Sequence, residues 1–157
     1  MHRITPFLWF DGKALEAAKF YVSVFPNSKI TDVARYENAG PHGDETVTVV
    51  TFRLGGQEFS ALDGGPLFRF SPAISFLVPC ATQAEIDRYW TKLSKGGKKQ
   101  PCGWLQDKYG VSWQIVPTIL DKLLRGKDPA KSKRAMAAKL RMTKLDIAKL
   151  KRAYGRG

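Results

Sequence analysis

Few side chains in this sequence are equipped for chemistry, and the most conspicuous is Gln114, set in the apolar run Val111 to Pro117, VSWQIVP. A glutamine inside such a strand either faces a pocket, offering one donor group and one acceptor, or satisfies a neighbouring strand. Nucleophilic and metal-binding sets are sparse. Cys80 and Cys102, the two cysteines, lack C-x-x-C spacing and histidine neighbours, which reads as two reduced thiols rather than a disulfide or a zinc site. His2 is terminal and His42 sits in the glycine-rich loop NAGPHGDE, where with Asp44 and Glu45 it makes a weak surface cation site at best. No histidine stands beside a serine or cysteine in a motif that would activate a nucleophile. Glu58 and Asp63 are the carboxylates of the segment 58–63, and alternation puts Asp63 on the face opposite Ser60.

The elements that must position these groups follow from periodicity. ITPFLWF at 4–10 reads as a strand, and Lys13 to Phe25 as an amphipathic helix with Leu15, Ala18, Tyr21, Val22 and Phe25 near helical spacing. Strands are expected at 29–37, 46–54 and 58–63, the last two joined by the turn Gly55-Gly56. The pattern then recurs: FLWFDGKALEAAKFYVSVF from Phe7 lies without a gap over FLVPCATQAEIDRYWTKLS from Phe76, pairing Leu8 with Leu77 and Glu16 with Glu85. A short strand around 98–105, a turn from Asp107 to Gly110 and VSWQIVP complete the second copy. Setting Gly56 on Gly110 puts Ser60 opposite Gln114. An internal repeat of this kind outweighs any single motif as a fold signal. If Gln114 faces a cleft, alternation sends Trp113 to the helix side and leaves Trp9 and Trp104 as aromatic lining.

Two strand-helix-three-strand repeats resemble the vicinal oxygen chelate superfamily, the fold of glyoxalase I, bleomycin-resistance proteins and extradiol dioxygenases. The segments ITPFLWFDGKALEAAKFYVSVFPNSKI, ALDGGPLFRFSPAISFLVPC, QAEIDRYWTKLS and CGWLQDKYGVSWQIVP, with the tail MTKLDIAKLKRAY, are similar to its PhnB-like branch, which carries the old label 3-demethylubiquinone-9 3-methyltransferase. The resemblance implies an α+β fold, two βαβββ repeats forming a glyoxalase-like paired-sheet cleft, plus C-terminal helices. Residues 1–117 would form one domain of two repeats, about 4–66 and 73–117, and residues 118–157 a basic helical extension packed on that domain or on a dimer partner.

Metal-using members of the superfamily commonly place a histidine on the first strand of each repeat and a glutamate on the last. Carried over, those positions read Pro6, Ser60, Ser75 and Gln114. None is anionic or an imidazole, so a divalent transition cation finds no proper ligand set, and no metal or cofactor is expected. The old label finds no support either, since Gly55-Gly56 and Gly64-Gly65 fall at strand turns, not at the glycine-rich helix entrance that cradles a nucleotide-like cofactor. The reading is a metal-free protein that binds a small organic molecule in its cleft, lined by Ser60, Ser75, Gln114, Leu8, Leu77, Trp9, Trp104 and Asp63. A lyase or dioxygenase-like enzyme with unexpected metal ligands is the alternative.

Charge raises a third class. Of the net charge of +12, residues 126–157 hold eleven Lys/Arg against Asp128 and Asp146, a net of +9. A nucleic-acid role would draw on phosphate contacts, usually with aromatic stacking, but the tail has only Tyr154. Its segments 118–125, 128–142 and 143–154 read as helices, with Thr118, Asp128 and Thr143 as N-caps and apolar sides at Met136, Leu140, Leu145, Ile147 and Leu150. Packing on the body or on the second copy of a homodimer therefore explains it better than nucleic acid. No apolar run approaches the roughly 20 residues of a membrane span, no signal-peptide pattern opens the chain, and the expected location is cytoplasmic.

Overall fold

The computed structural model describes residues 4–40, 43 and 45–155; His2, His42 and Asp44 lie outside them. The chain divides into two compact units, with the boundary in sequence between Phe70 and Ser71. The first holds β1 (Phe7–Phe10), α1 (Ala14–Val24), β2 (Lys29–Tyr36), β3 (Val47–Leu54) and β4 (Gln57–Asp63), in sheet order β1-β4-β3-β2. The second repeats the order with β5 (Phe76–Cys80), α2 (Gln83–Ser94), β6 (Lys98–Lys99), β7 (Trp104–Gln106) and β8 (Ser112–Pro117), arranged β5-β8-β7-β6. In both, the first strand runs parallel to the last and the remaining pairs are antiparallel. This is the α+β repeat expected from the sequence.

Each helix covers one face of its own sheet. In the first unit Ala14, Ala17, Ala18 and Tyr21 of α1 are buried with Leu8, Phe10, Val50, Phe52, Phe59 and Ala61, and the Tyr21, Phe52 and Phe59 rings stack in series at 6.2 and 5.5 Å. In the second, Ile86, Tyr89, Trp90 and Leu93 of α2 are buried with Cys80, Leu105, Trp113 and Ile115. The helix entrances differ. Thr82 caps α2 in a reciprocal box with Glu85, whereas Lys13 offers α1 no side-chain acceptor and the Ala14 N–H donates instead to Asp63 Oδ1 at 2.7 Å, from the end of β4.

The gapless alignment of the two copies needs one correction. Three residues, Asp11 to Lys13, join β1 to α1, but only Ala81 and Thr82 join β5 to α2. The extra residue is absorbed at Gly12, whose φ of +65° suits glycine. Strand pairing shows the result: Phe7 lies beside Ser60, while Leu77, not Phe76, lies beside Gln114. Because side chains alternate along a strand, this offset sends Leu8 into the core at 7% exposure and leaves Leu77 on the helix-free face at 56%. Leu8 is therefore a packing residue of the α1 side and not part of a cleft lining.

The turn before β8 is built on Asp107, which is 3% exposed. Its carboxylate accepts from the Tyr109 N–H at 2.9 Å, the Val111 N–H at 3.1 Å and the indole N–H of Trp113 at 2.8 Å. That last bond commits Trp113 to the helix side of β8, and alternation then turns Gln114 to the other face.

The tail folds as α3 (Leu120–Leu124), α4 (Pro129–Leu140) and α5 (Ile147–Gly155) within the second unit. Leu120, Leu123, Ala135, Leu145 and Leu150 form its core, joined by Val116 of β8. Asp128 caps α4 through the Ala130 and Lys131 N–H groups. The other two helices start later than their threonines suggest. No side chain caps α3, and α5 begins at Ile147, where Asp146 accepts from the Lys149 N–H at 2.9 Å and Gln83 of α2 takes the Ile147 N–H at 2.9 Å. The same Gln83 donates to the Leu145 carbonyl at 3.1 Å, so one amide on α2 closes two backbone positions of the tail. Fully buried Leu145 fixes this docking, and residues 143–146 are spent on reaching it.

Two outcomes follow. Replacing Asp107 with Ala strands three donors in the interior and should lower unfolding free energy by about 3 kcal/mol, read as a lower urea midpoint at unchanged slope. A loss below 1 kcal/mol would remove Asp107 as an organising residue. The Asp87 carboxylate, held below its ordinary range by the Lys144 ammonium at 2.6 Å and by Gln83, favours the docked tail while it is ionised. Its contribution is complete above the ordinary aspartate value and fades as pH falls through the lowered one. Amide exchange at Ile147 should accelerate relative to the second sheet below about pH 4, and Lys144→Gln should remove that acid sensitivity.

Candidate functional site

Each sheet keeps one face free of its own helix, and most of the polar and aromatic residues singled out in the sequence collect there. In the second unit Leu77, Gln114 and Trp104 form one row across β5, β8 and β7, fixed by the pairs Leu77 to Gln114 and Trp104 to Gln114. The Gln114 amide nitrogen donates to Ser75 Oγ at 2.9 Å, from the residue just before β5. That bond orients the amide and leaves Oε1 without a hydrogen bond from the described residues. The next row pairs Gln106 with Ser112, whose hydroxyl is buried and unpartnered among them.

In the first unit Phe7 and Trp9 share the free face with Ser60 and Leu62. Trp9 is held in place from three sides: its indole N–H donates to the Gly65 carbonyl at 2.9 Å, its ring meets Phe68 edge-on at 5.0 Å, and Gly64 lies directly against it. A Cβ on Gly64 would fall 2.3 Å from the indole, so the contact requires glycine there. Trp9, Val47, Leu62, Pro66 and Leu67, with Glu45 and Asp63 at its edge, line a half-open, largely apolar cavity of about 730 Å³. This is the size and character of a small-molecule site. The loop 64–67 that completes it was not singled out in the sequence. Its signal was the Gly64-Gly65-Pro66 run, which reads as an ordinary turn.

The charged groups of β4 have structural duties. Asp63 borders the cavity, but its carboxylate turns to the helix side and caps α1, and Glu58 pairs with Arg53 at 3.4 Å. Ser60 Oγ makes no hydrogen bond with a described residue. The thiol of Cys80 is buried, and burial, reinforced by Glu85 and opposed by Arg88, pushes its pKa up to about 11, so it is no nucleophile near neutrality.

The positions that the fold family uses for a metal can be tested against these groups. Gln114 is engaged as a neutral donor to Ser75, Ser60 offers only a hydroxyl, and Pro6 has no ligand atom in its side chain. Among the described residues no three of His, Cys, Asp and Glu come together as a metal site would require. A divalent transition cation does not fit this donor set.

Comparisons with known proteins converge. The model of the 3-demethylubiquinone-9 3-methyltransferase family matches residues 2–116. A Bacillus cereus structure described by that same activity and as a PhnB protein is 42% identical over 74% of this chain and 100% of its own, with a TM-score of 0.66. A Pseudomonas aeruginosa protein shares 20% identity over 74% of this chain and 98% of its own, at a TM-score of 0.61. The fosfomycin resistance protein FosX of Listeria monocytogenes shares the fold at 12% identity, covering 81% of this chain and 98% of its own, with a TM-score of 0.56. No curated protein matches the chain.

Because Gly64 seats the indole, Gly64→Ala should cost about 2 kcal/mol and shift tryptophan emission to the red as Trp9 leaves its place. Gly55→Ala, strained at its φ of +57° but with open space at the Cβ and placed in the turn between β3 and β4, serves as the control and should leave the emission near wild type. Equal spectral changes in both variants would mean that Gly64 has no special contact with Trp9.

Proposed function

The chain belongs to the 3-demethylubiquinone-9 3-methyltransferase (PhnB-like) family of the vicinal oxygen chelate superfamily, and from that premise we propose that it binds a small, largely apolar organic molecule with neutral hydrogen-bonding groups and without a resident metal. The observation that carries the reading is the Gln114 to Ser75 hydrogen bond at 2.9 Å. Where a metal-using relative would hold a carboxylate, this chain holds an oriented amide whose free oxygen accepts one hydrogen bond from a ligand O–H or N–H. The cavity of about 730 Å³ beside Trp9 supports the same class of ligand, being lined mainly by carbon. The binding residues of this proposal are Ser75, Leu77, Trp104 and Gln114 on the free face of the second unit and, separately, Trp9 and Ser60 on the free face of the first. Asp63 enters through the cavity rim, and no residue is assigned a catalytic role.

Methyl transfer is not part of the proposal. The strand-to-helix connections are Asp11-Gly12-Lys13 and Ala81-Thr82, too short and too poor in glycine to form a nucleotide cradle. Homodimerisation belongs to the reading because Ile4, Leu67 and Phe68 of the first unit and Ile74 of the second are all more than half exposed. A second copy would remove such surface from water. A cytoplasmic location fits two unpaired cysteines, and no helix among the described residues is long and apolar enough to cross a membrane.

The test combines elemental analysis with a thermal-shift screen of small aromatic and hydroxylated compounds. Protein purified without tag or chelator should hold negligible iron, nickel, zinc or manganese by mass spectrometry. Hits held on the free face of the second unit should lose affinity about tenfold in Gln114→Leu, as expected for one buried hydrogen bond, and hits held in the cavity of the first unit should lose more in Trp9→Ala. One equivalent of a transition metal per chain would overturn the metal-free reading in favour of a metal-dependent lyase or dioxygenase-like enzyme. Hits indifferent to both substitutions would remove the sheet faces as the binding site.

A further inference from the structure

The basic tail contains a feature that helix packing does not explain. Ala138, Arg141 and Met142 of the α4 end and Lys149, Arg152 and Ala153 of α5 line a groove of about 400 Å³. Each side contributes positions i, i+3 and i+4, so the groove follows one stripe of each segment. The alanines form a shallow floor, and the three cations stand around it without a carboxylate among the lining residues. None of the three makes an ion pair or a side-chain hydrogen bond with a described residue. The tail's acids lie outside the groove lining: Asp121 pairs with Arg125 at 3.5 Å, Asp128 caps α4, and Asp146 caps α5 by accepting from the Lys149 N–H at 2.9 Å, at the helix entrance.

Helix electrostatics accounts for two of these cations and not for the third. Arg141 follows the last turn of α4 and Arg152 lies in the last turn of α5, where the negative end of the helix dipole favours positive charge. Lys149 lies in the first turn of α5, at the positive end, where a carboxylate would stabilise and a cation does not. It also stands three residues from Arg152, a like-charge spacing that weakens a helix. The two helices that form the groove are tied together. Arg134 of α4 reaches across to the Ala153 and Tyr154 carbonyls at 3.2 and 3.3 Å, and Leu145, Leu150 and Ala135 are fully buried beneath. Three exposed cations on one packed helix pair, one of them at the positive end of its helix, face a groove whose own lining offers no anion.

We propose that the α4 and α5 groove is a binding site for a compact phosphate-bearing anion, with Arg141, Lys149 and Arg152 as its ligands. Guanidinium groups suit phosphate oxygens in bidentate fashion and the lysine adds a point charge. The groove has room for a diphosphate group or the phosphate chain of a nucleotide, but not for an extended polymer inside it. This site is separate from the sheet faces and does not depend on the function proposed for them.

The test is calorimetric titration of the full chain with inorganic pyrophosphate at low salt, and in parallel with a nucleoside triphosphate to separate a bare phosphate ligand from a nucleotide. Lys149→Glu should weaken binding by at least about tenfold, the loss of one charge-assisted contact, while raising the melting temperature, because the new carboxylate suits the first turn of α5. Lys95→Glu, the same charge change in the second unit outside the groove, should alter affinity less than about twofold. Weaker binding together with higher stability is the signature of a cation kept for a ligand. The proposal falls if neither anion gives a saturable isotherm, or if Lys95→Glu weakens binding as much as Lys149→Glu does. It also falls if duplex DNA binds in a steeply salt-dependent manner and pyrophosphate cannot displace it, which would make the tail a general polyanion surface.

Discussion

The parallel pairing of the first strand of each repeat with its last is the constraint from which the rest of the structure follows. A parallel pair cannot be closed by a tight turn, so the chain between its strands must include a crossover, and in both repeats that crossover is a helix laid over the sheet. Covering one face decides every residue's side. Alternation then does the remaining work, because a residue next to a helix-facing position is forced to the free face. Gln114 reaches that face because Trp113 is anchored on the other by Asp107, and Ser75 comes within 2.9 Å of it because β5 runs beside β8 in this register.

Two buried or half-buried polar groups hold the second unit together in ways that hydrophobic packing alone would not. Asp107 gathers two backbone donors and an indole donor around one carboxylate, which turns a five-residue connection into a defined corner. Gln83 serves α2 and the tail at once, using its amide oxygen and nitrogen on backbone groups separated by two residues. Such groups are stabilising only when every polar atom is satisfied, so each works as a geometric specification as well as a source of energy. The first unit has a smaller counterpart in Asp63, which leaves its strand to cap the helix beside it.

Most of the architecture was legible in the sequence, for reasons that can be assigned. The repeat showed because both helices present similar apolar positions and both carry glutamate in the first turn, and the placing of Trp113 and Asp63 on the helix side needed only alternation. Leu8 failed because a one-residue difference in a connection is invisible to an alignment that already matches without a gap, yet it inverts the strand before it. The start of α5 failed because a threonine followed by a helical pattern is a sound local cap signal, whereas the real start depends on Gln83, more than sixty residues away in sequence. The cavity beside Trp9 was hidden for a similar reason. Its rim is a loop whose residues look like turn chemistry and acquire meaning only once Gly64 is seen to lie under an indole.

The Gln114 and Ser75 pair also shows what a charged side chain would meet at this position. A glutamate at this position, without a cation, would carry a charge on a half-buried, mainly apolar face, and desolvation would raise its pKa or cost stability. The Ser75 hydroxyl beside it could donate one hydrogen bond but supplies no positive charge. An amide removes the penalty and keeps the shape, and Ser75 Oγ accepts its N–H at 2.9 Å. Gln114 and Ser75 are thus mutually consistent as a neutral pair, and a carboxylate in place of the amide would meet one hydroxyl and no counter-charge from it.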